Sequence, residues 1–553
     1  MQRMNEREEF VVTFLPSGKQ IACTVGEELI ESARRHGIRI AADCGGRGRC
    51  RSCTVRIEGA VTETVAPLSS GFTAEEVAAG WHRACQVRLV GPCTVHVPAR
   101  TSASAVSLGQ DDGPAVVPIQ APVLVPSERK GYWSRGEALV GPVAGGNALG
   151  LAVDLGTTNI AAALVDMSSG QVVATGAIAN SQSVYGADVV SRLTQAVRDS
   201  SLAREMQRAA VRAIAELAGQ LAGGAMESIA EVAVVGNSVM QHLLLGLPLE
   251  SLATAPYRPY LLGDSDLLCS DLGFQFADGA WLHFGPNIAS FIGSDHVVAL
   301  LEIMVDPPPG RWLLMDIGTN TEISLYDGAR LRSASCASGP AFEGGVLTCG
   351  IRAVPGAVTS VHIENEKVNL QTIGQVEPLG ICGSGVISLV SELLRCGAIN
   401  ARGRLSAAHP CVRERERHRE FVLTDQNKSG ALPLVFTQDD IRAVQLAKAA
   451  IRTGLDLLLA ETGVGEDAVE RFVIAGAFGK YLDVHAALAI GLLPPVSSSR
   501  IVQVGNAAGA GVRRILVCAN ARAKARALAR ESQYLELATH PGFHHTFARR
   551  AAF

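Results

Sequence analysis

Four cysteines carry the first chemical signal in this sequence: Cys44, Cys50, Cys53 and, a strand-sized interval later, Cys85. The string Asp43-Cys44-Gly45-Gly46-Arg47-Gly48-Arg49-Cys50-Arg51-Ser52-Cys53 packs three thiols into one short loop. Glycine tolerates positive φ, so such a loop can wrap back on itself with N–H groups turned inward toward a bound anion. Zinc is usually held by two short Cys or Cys/His pairs. Here three ligands share one loop and the fourth is remote, which suits a two-iron, two-sulfide cluster better. A disulfide framework is not expected, because the start Met1-Gln2-Arg3-Met4-Asn5-Glu6-Arg7-Glu8-Glu9 is polar and charged, unlike an export signal.

A second chemistry is written twice. Gly150-Leu151-Ala152-Val153-Asp154-Leu155-Gly156-Thr157-Thr158-Asn159-Ile160 and Arg311-Trp312-Leu313-Leu314-Met315-Asp316-Ile317-Gly318-Thr319-Asn320-Thr321-Glu322 are each an apolar strand ending in Asp-x-Gly-Thr, and each runs on into another strand. An acid at a strand end holds magnesium, usually through its water shell. The glycine lets the turn approach a phosphate closely, and hydroxyl, amide and backbone N–H groups cradle the phosphate oxygens. One such turn is weak, since Asp-x-Gly is a common hairpin. Two in one α/β region imply related half-domains that grip the β- and γ-phosphates from both sides.

Three further strings support the pair. Arg471-Phe472-Val473-Ile474-Ala475-Gly476-Ala477-Phe478-Gly479-Lys480 is a buried strand entering a glycine turn that can lie flat against adenine and ribose. Val504-Gly505-Asn506-Ala507-Ala508-Gly509-Ala510-Gly511 predicts a small-residue helix able to pack closely on another at a hinge. Tyr185-Gly186-Ala187-Asp188-Val189-Val190-Ser191-Arg192-Leu193 predicts a helix with Asp188 at its N-terminal end. There a carboxylate either orients a water or simply caps the helix.

The elements that position these groups follow from the patterning. Residues 10 to 97 read as a small sheet domain: Phe10–Phe14 and Ile21–Val25 flank the turn Pro16-Ser17-Gly18-Lys19, a helix runs from Glu27 to about His36 and stops at Gly37, the cysteine loop follows, and Thr54–Ile57 and Cys93–Val97 add strands. Residues 99–149 are rich in Pro, Ala and Ser and predict a linker that is partly extended, either a plain tether or docked through Val116, Val117, Ile119, Val123 and Leu124. From 150 to 553 strands and amphipathic helices alternate, with one lobe at about 150–305, a second at about 310–500 and a connecting helix and tail at 501–553.

Composition excludes several classes. The 553 residues are 48% hydrophobic and 18% charged with a net charge of −4, so large cores are available and disorder is not expected. No basic block favours nucleic acid, the run Arg413-Glu414-Arg415-Glu416-Arg417 alternates in sign as a solvated face does, and no apolar stretch reaches spanning length. The 13 cysteines fit a reducing compartment, so a cytoplasmic protein is expected, with Cys23, Cys93, Cys269, Cys336, Cys349, Cys382, Cys396, Cys411 and Cys518 as inert or buried thiols.

These residues resemble known families. The N-terminal order, an α+β arrangement of hairpin, helix, cysteine loop and strands, looks like the β-grasp [2Fe–2S] ferredoxins, with the longer first gap of the adrenodoxin and putidaredoxin kind. The five strings from 150 onward resemble the acetate and sugar kinase, heat-shock chaperone and actin ATPase superfamily. That resemblance implies α/β, RNase-H-like (actin-like) lobes closing on ATP with Mg2+. In it Asp154 and Asp316 are the magnesium and water-positioning acids, joined by Asp188 as a catalytic candidate. Gly156, Thr157, Thr158, Asn159, Gly318, Thr319 and Asn320 bind phosphates, and Gly476, Phe478 and Gly479 meet the adenosine. The fusion resembles the reductive activators of corrinoid proteins, as do the strings Val235–Leu247, Ser335–Gly345 and Gly380–Gly385. There is little room for the extra domain some members carry, which leaves open whether the chain is a homodimer, and no cysteine run for four-iron clusters.

The activator resemblance implies one-electron reduction of Co(II) to Co(I) in the corrinoid protein of a methyltransferase system, fed by an unidentified donor. Plant-type clusters sit near about −400 mV and protein-bound cobalt commonly lower. A gap of roughly a hundred millivolts is more than a tenfold penalty, since about 59 mV is tenfold for one electron, so ATP must drive the step. Ser335 and Ser338, on a Ser/Gly-rich stretch, are either contacts to the partner or parts of a turn near the phosphates. Two other readings are an activator of a radical dehydratase, which would place four-iron cysteines in the ATPase lobes, and a non-redox, chaperone-like ATPase with a vestigial cluster.

Overall fold

The computed structural model describes residues 9–38, 40–41, 48, 51–63, 72–98, 101, 107–108, 113–186, 188–415, 418–425, 432–476 and 479–553. It divides into two compact units: Met1–Ser104 with Ala341–Val444, and Ala105–Pro340 with Gln445–Phe553.

In the first unit, strands Glu9–Leu15 and Lys19–Thr24 form an antiparallel hairpin around Gly18, whose φ of +69° suits glycine. Val87–His96 alternates buried and exposed positions over its first six residues, the period of a half-buried strand. It runs parallel to Glu9–Leu15 and antiparallel to Thr54–Glu63, and Trp81–Arg83 completes a five-stranded sheet. Helix Leu29–Arg35 buries Leu29, Ile30 and Ala33 in the same core as Val12, Phe14, Val55 and Val95. Burying each larger aliphatic side chain contributes about 1.5–3 kcal/mol. The helix starts two residues later than expected because Glu27 folds back as an acceptor for Thr24 Oγ1 (2.8 Å) and Ser32 Oγ (2.6 Å). A mixed sheet with one helix across it is the β-grasp arrangement. Cys23 and Cys93 are core residues, and burial pushes the Cys93 thiol up to about 11.

The rest of this unit is Ala341–Val444. It closes two three-stranded sheets of its own, Ala357–Glu364 with Lys367–Thr372 and Gly380–Ile381, and Val412–Arg415 with His418–Thr424 and Leu434–Thr437. Its strands add nothing to the large sheets, and its packing partner is the ferredoxin module.

The second unit is built on two sheets of like plan. In the seven-stranded sheet, Leu149–Leu155 pairs antiparallel with Asn159–Asp166 and parallel with Ile229–Val235. In the six-stranded sheet, Trp312–Ile317 pairs antiparallel with Thr321–Tyr326 and parallel with Arg471–Ala475. Each Asp-x-Gly-Thr turn therefore joins an antiparallel hairpin at the end of a buried central strand. The repeat seen in sequence is a repeat of topology.

The Pro-rich segment is docked. Val117, Leu124, Trp133 and Val140 are buried in the core of the first lobe, and Val123 N donates to Val517 O at 3.1 Å. Arg135 of this segment reaches the fully buried Glu231 at 3.0 Å, and Glu231 is also held by Arg522 Nη2 at 2.8 Å. The tail serves both lobes. Ile501–Gly505 and Gln533–Tyr534 lie at opposite edges of the six-stranded sheet, while helix Ala507–Val517 packs on helix Ser294–Ile303 of the first lobe. Among the described residues no helix is long and apolar enough to cross a membrane.

Candidate functional site

The two glycine turns meet. Thr158 Oγ1 and Thr319 Oγ1 are 2.8 Å apart, one from each sheet. The first turn is held by residues distant in sequence. Asn237 Nδ2 donates to Thr157 Oγ1 at 3.0 Å, Arg192 Nη2 to Thr157 O at 2.6 Å, and Asn180 Nδ2 to Gly156 O at 2.8 Å. Arg192 and Asn180 are fully buried. These bonds fix the carbonyls of Gly156 and Thr157 and the Thr157 hydroxyl, and the Thr158 hydroxyl faces Thr319. In the second turn Gly318 N bonds Asn320 O at 3.1 Å, and Ser338 Oγ braces it through Thr321 Oγ1 at 3.0 Å.

Acids converge on these turns. Burial, with repulsion from Asp295 and Asp316, pushes the Asp154 carboxyl up to about 8. Burial and Asp295 push Asp316 up to about 7, and Asp295 itself rises to about 6 through burial. Glu322 is raised as well by burial and by Asp295 and Asp316. Carboxylates that oppose one another's ionisation are the donor set a hard divalent cation neutralises. Asp295 was not a sequence candidate. It stands at the start of helix Ser294–Ile303, where Gly293 has no room for a side chain because Gly236 O and Asn237 Cα occupy its Cβ direction. Its only sequence signal is the polar triplet Gly293-Ser294-Asp295 inside an otherwise apolar run. The helix that the small-residue helix packs against is therefore Ser294–Ile303, and the Asp188 helix plays no such part.

The third glycine turn is brought beside the second. At Gly476 (φ +95°) a Cβ would sit 2.7 Å from Ile317 O and 3.0 Å from Asp316 Oδ1, so a side chain here would intrude on the acid. Gly479 is packed against Ile474, and Phe478 lies outside the described residues.

The remaining sequence candidates are placed as follows. Asp188 Oδ1 accepts from Ser191 N at 2.7 Å in a capping box, so its carboxylate caps helix Val189–Arg198 and the next turn's Arg192 is what touches the phosphate turn. Ser335 Oγ donates to Glu322 Oε1 at 3.2 Å, and Ser338 is buried under the second turn. Both serines are engaged by residues beside the second glycine turn. Asn159 is exposed at the start of the second hairpin strand.

In the ferredoxin module Cys53 Sγ and Cys85 Sγ lie 3.4 Å apart, a separation at which two thiolates face one small cluster. At Gly48 (φ +66°) a Cβ would meet Gln86 Cδ at 3.0 Å, so glycine brings the cysteine loop against the residue after Cys85. Cys44 and Cys50 lie outside the described residues. The paired thiols of Cys53 and Cys85, with Gly48 packed against Gln86, fit a [2Fe–2S] centre.

Comparison with known proteins agrees with both sites. Residues 12–90 match the 2Fe-2S iron-sulfur cluster binding domain, 149–306 the RACo middle region, and 311–553 the C-terminal domain of RACo, the ASKHA domain. The chain is 30% identical to the corrinoid activation enzyme RamQ of Eubacterium limosum over 94% of each sequence. It belongs to the family of reductive activators of corrinoid proteins. A solved structure, a reductive activator for corrinoid, iron–sulfur protein, superposes with a TM-score of 0.70 at 28% identity, covering 99% of this activator and 98% of that chain. A Co(II) methylated amine-specific corrinoid protein reductase of Methanosarcina barkeri is 26% identical over 66% of this chain and 70% of its own. As an activator, the protein combines a ferredoxin-type cluster domain with a nucleotide-binding ASKHA domain, and is a reductase.

Proposed function

We propose that the chain reduces the Co(II) of a partner corrinoid protein to Co(I), one electron at a time, with MgATP binding and hydrolysis at the Asp154–Asp316 site supplying the driving force. The observation that carries this reading is the meeting of Thr158 with Thr319 over a set of mutually repelling acids, in a chain that also holds the Cys53–Cys85 pair. The cluster, held by Cys44, Cys50, Cys53 and Cys85, supplies one-electron transfer when bound. Asp154, Asp295 and Asp316 do not form a direct three-ligand group, and would hold Mg2+ through its water shell, where it would neutralise phosphate charge. Gly156, Thr157, Thr158, Gly318, Thr319 and Asn320 receive the phosphate oxygens, and Gly476 and Gly479 leave space for the adenosine. Phosphoryl chemistry of this kind needs positioning and charge stabilisation, with no covalent residue. Arg192 and Asn237 transmit the position of the first turn to two helices, Val189–Arg198 and Ser238–Leu245, so occupation of the turn moves elements beyond it.

Family membership separates this reading from the two alternatives. In the second unit Cys269, Cys336 and Cys518 are buried, and among the described residues no three His, Cys, Asp or Glu side chains gather as a direct metal-ligand group. The test is a purified, iron- and sulfide-reconstituted protein, pre-reduced and mixed with a Co(II) corrinoid protein from a methyltransferase system. A Co(I) spectrum that grows only with MgATP, with ATP turnover stimulated by the corrinoid protein, is the expected result. ATP turnover that no corrinoid protein accelerates, with no Co(I) formed, overturns it.

A further inference from the structure

Arg51 stands between two cluster cysteines, one residue after Cys50 and two before Cys53. Its guanidinium lies over the Phe72 ring, 4.2 Å from the centroid, and Nη2 is 3.5 Å from Glu76 Oε2. Glu76 is only 8% exposed. Its Oε2 also accepts from Thr73 N at 2.9 Å, the reciprocal half of a capping box, so the carboxylate is fixed by its own helix Ala74–Ala78. Its other oxygen, Oε1, accepts from Arg415 Nη2 at 3.1 Å, and the same Nη2 lies 3.3 Å from Thr73 Oγ1. Arg415 is on strand Val412–Arg415 of the inserted segment, with Nη1 3.9 Å from Glu420 Oε1. One nearly buried carboxylate thus serves two arginines, one in the cysteine loop and one on a separate small sheet. Arg51, Glu76 and Arg415 line one recess with Thr348, Cys349 and Pro433.

We propose that Glu76 and Arg415 are positioning residues for electron transfer, acting through Arg51 to set the cluster's reduction potential. A [2Fe–2S] centre gains one negative charge on reduction, so a guanidinium beside its loop favours the reduced form. Glu76 opposes that charge, and Arg415, paired with the other oxygen of the same fixed carboxylate, offsets Glu76. With Arg415 engaged, Arg51 acts more fully on the loop and the electron is held. With Arg415 withdrawn, Glu76 neutralises Arg51 and the same cluster becomes a stronger reductant. The charge alternation seen along Arg413–Arg415 thereby includes, at Arg415, a partner of Glu76 rather than a purely solvated face.

This inference goes beyond the reaction proposed above and rests only on the cluster. Its test is the midpoint potential of the full-length reconstituted protein, read by EPR-monitored redox titration. Arg415→Ala should lower the midpoint enough to change the reduced-to-oxidised ratio at fixed poise at least threefold, and Arg415→Lys should restore it. In an Arg51→Gln background, Arg415→Ala should change nothing. Arg415→Gln, which keeps most of the side-chain length, reads the same way should alanine disturb the strand. An equal shift with and without Arg51, which is a through-space charge effect, overturns the proposal, as does no shift at all. An unsubstituted protein without a reduced-cluster EPR signal would overturn the cluster reading itself, a distinguishable result.

Discussion

The hydroxyls of Thr158 and Thr319 meet at 2.8 Å although 161 residues separate them. Each lies in a turn whose strand also carries an acid, Asp154 or Asp316, and burial, with repulsion from Asp295, raises both. The contact therefore joins two lobes at the point where phosphate and cation chemistry would take place. Phosphate oxygens entering between the turns replace a neutral hydroxyl pair with charge-assisted bonds, which are about twice as strong. Nucleotide bound at this site would couple to lobe position through these two side chains.

Thr158→Val and Thr319→Val should each lower kcat/KM for ATP by about 10- to 100-fold, as expected for loss of a hydrogen bond to a charged group of about 1.5–3 kcal/mol. The visible spectrum of the cluster should be unchanged. Steady-state ATPase assays beside absorption spectra check both halves.

Stability should depend on pH with a defined sign. Asp154 and Asp316 have native values of about 8 and 7 against 3.8 for the free group, so between those limits the native state binds more protons than the unfolded chain. Stability without divalent cation falls as pH rises through that window. Thermal unfolding at pH 6 and pH 8 should show this fall, Asp154→Asn should flatten it, and the gain in Tm from MgATP should be larger at pH 8.

Asp295→Asn tests the acid that sequence reading did not find. Removing its charge lowers repulsion on Asp154 and Asp316 and removes a cation donor. ATP turnover should drop at least tenfold with a raised requirement for Mg2+, measured by titrating Mg2+ at saturating ATP.

Cys53→Ser or Cys85→Ser should abolish the reduced-cluster EPR signal while nucleotide binding persists, because the thiol pair and the Asp-x-Gly-Thr turns belong to different compact units. Equilibrium binding of a fluorescent ATP analogue gives the second readout. Loss of both functions together would contradict it.

Gly511→Val addresses the hinge. A side chain at Gly511 runs into the backbone carbonyl of Val298 on the facing helix. Overpacking of this kind costs about 1–3 kcal/mol. A lowered Tm with weaker ATP turnover is expected, read by calorimetry and ATPase assay.

Much of this protein is local in origin and was legible in its residues. The cysteine spacing, the twin Asp-x-Gly-Thr turns and the glycine turn after Arg471–Ala475 are chemistry written in short strings, because ligand loops and phosphate turns are made by consecutive residues. The hairpin, helix and strands of the ferredoxin module also follow from period and turn residues. What only tertiary structure decided are relationships between distant side chains. Arg192, Asn180 and Asn237 hold the first glycine turn across tens of residues, and no local pattern states which turn each of them meets. Ser338 is a brace because the strand Leu331–Cys336 folds back beside the second turn. The Pro-rich segment, which reads equally as tether or docked strand, is fixed by the apolar core that receives Leu124 and Trp133. The inserted segment joins the ferredoxin module because Arg415 meets Glu76, a pairing between residues 339 positions apart that no local pattern encodes.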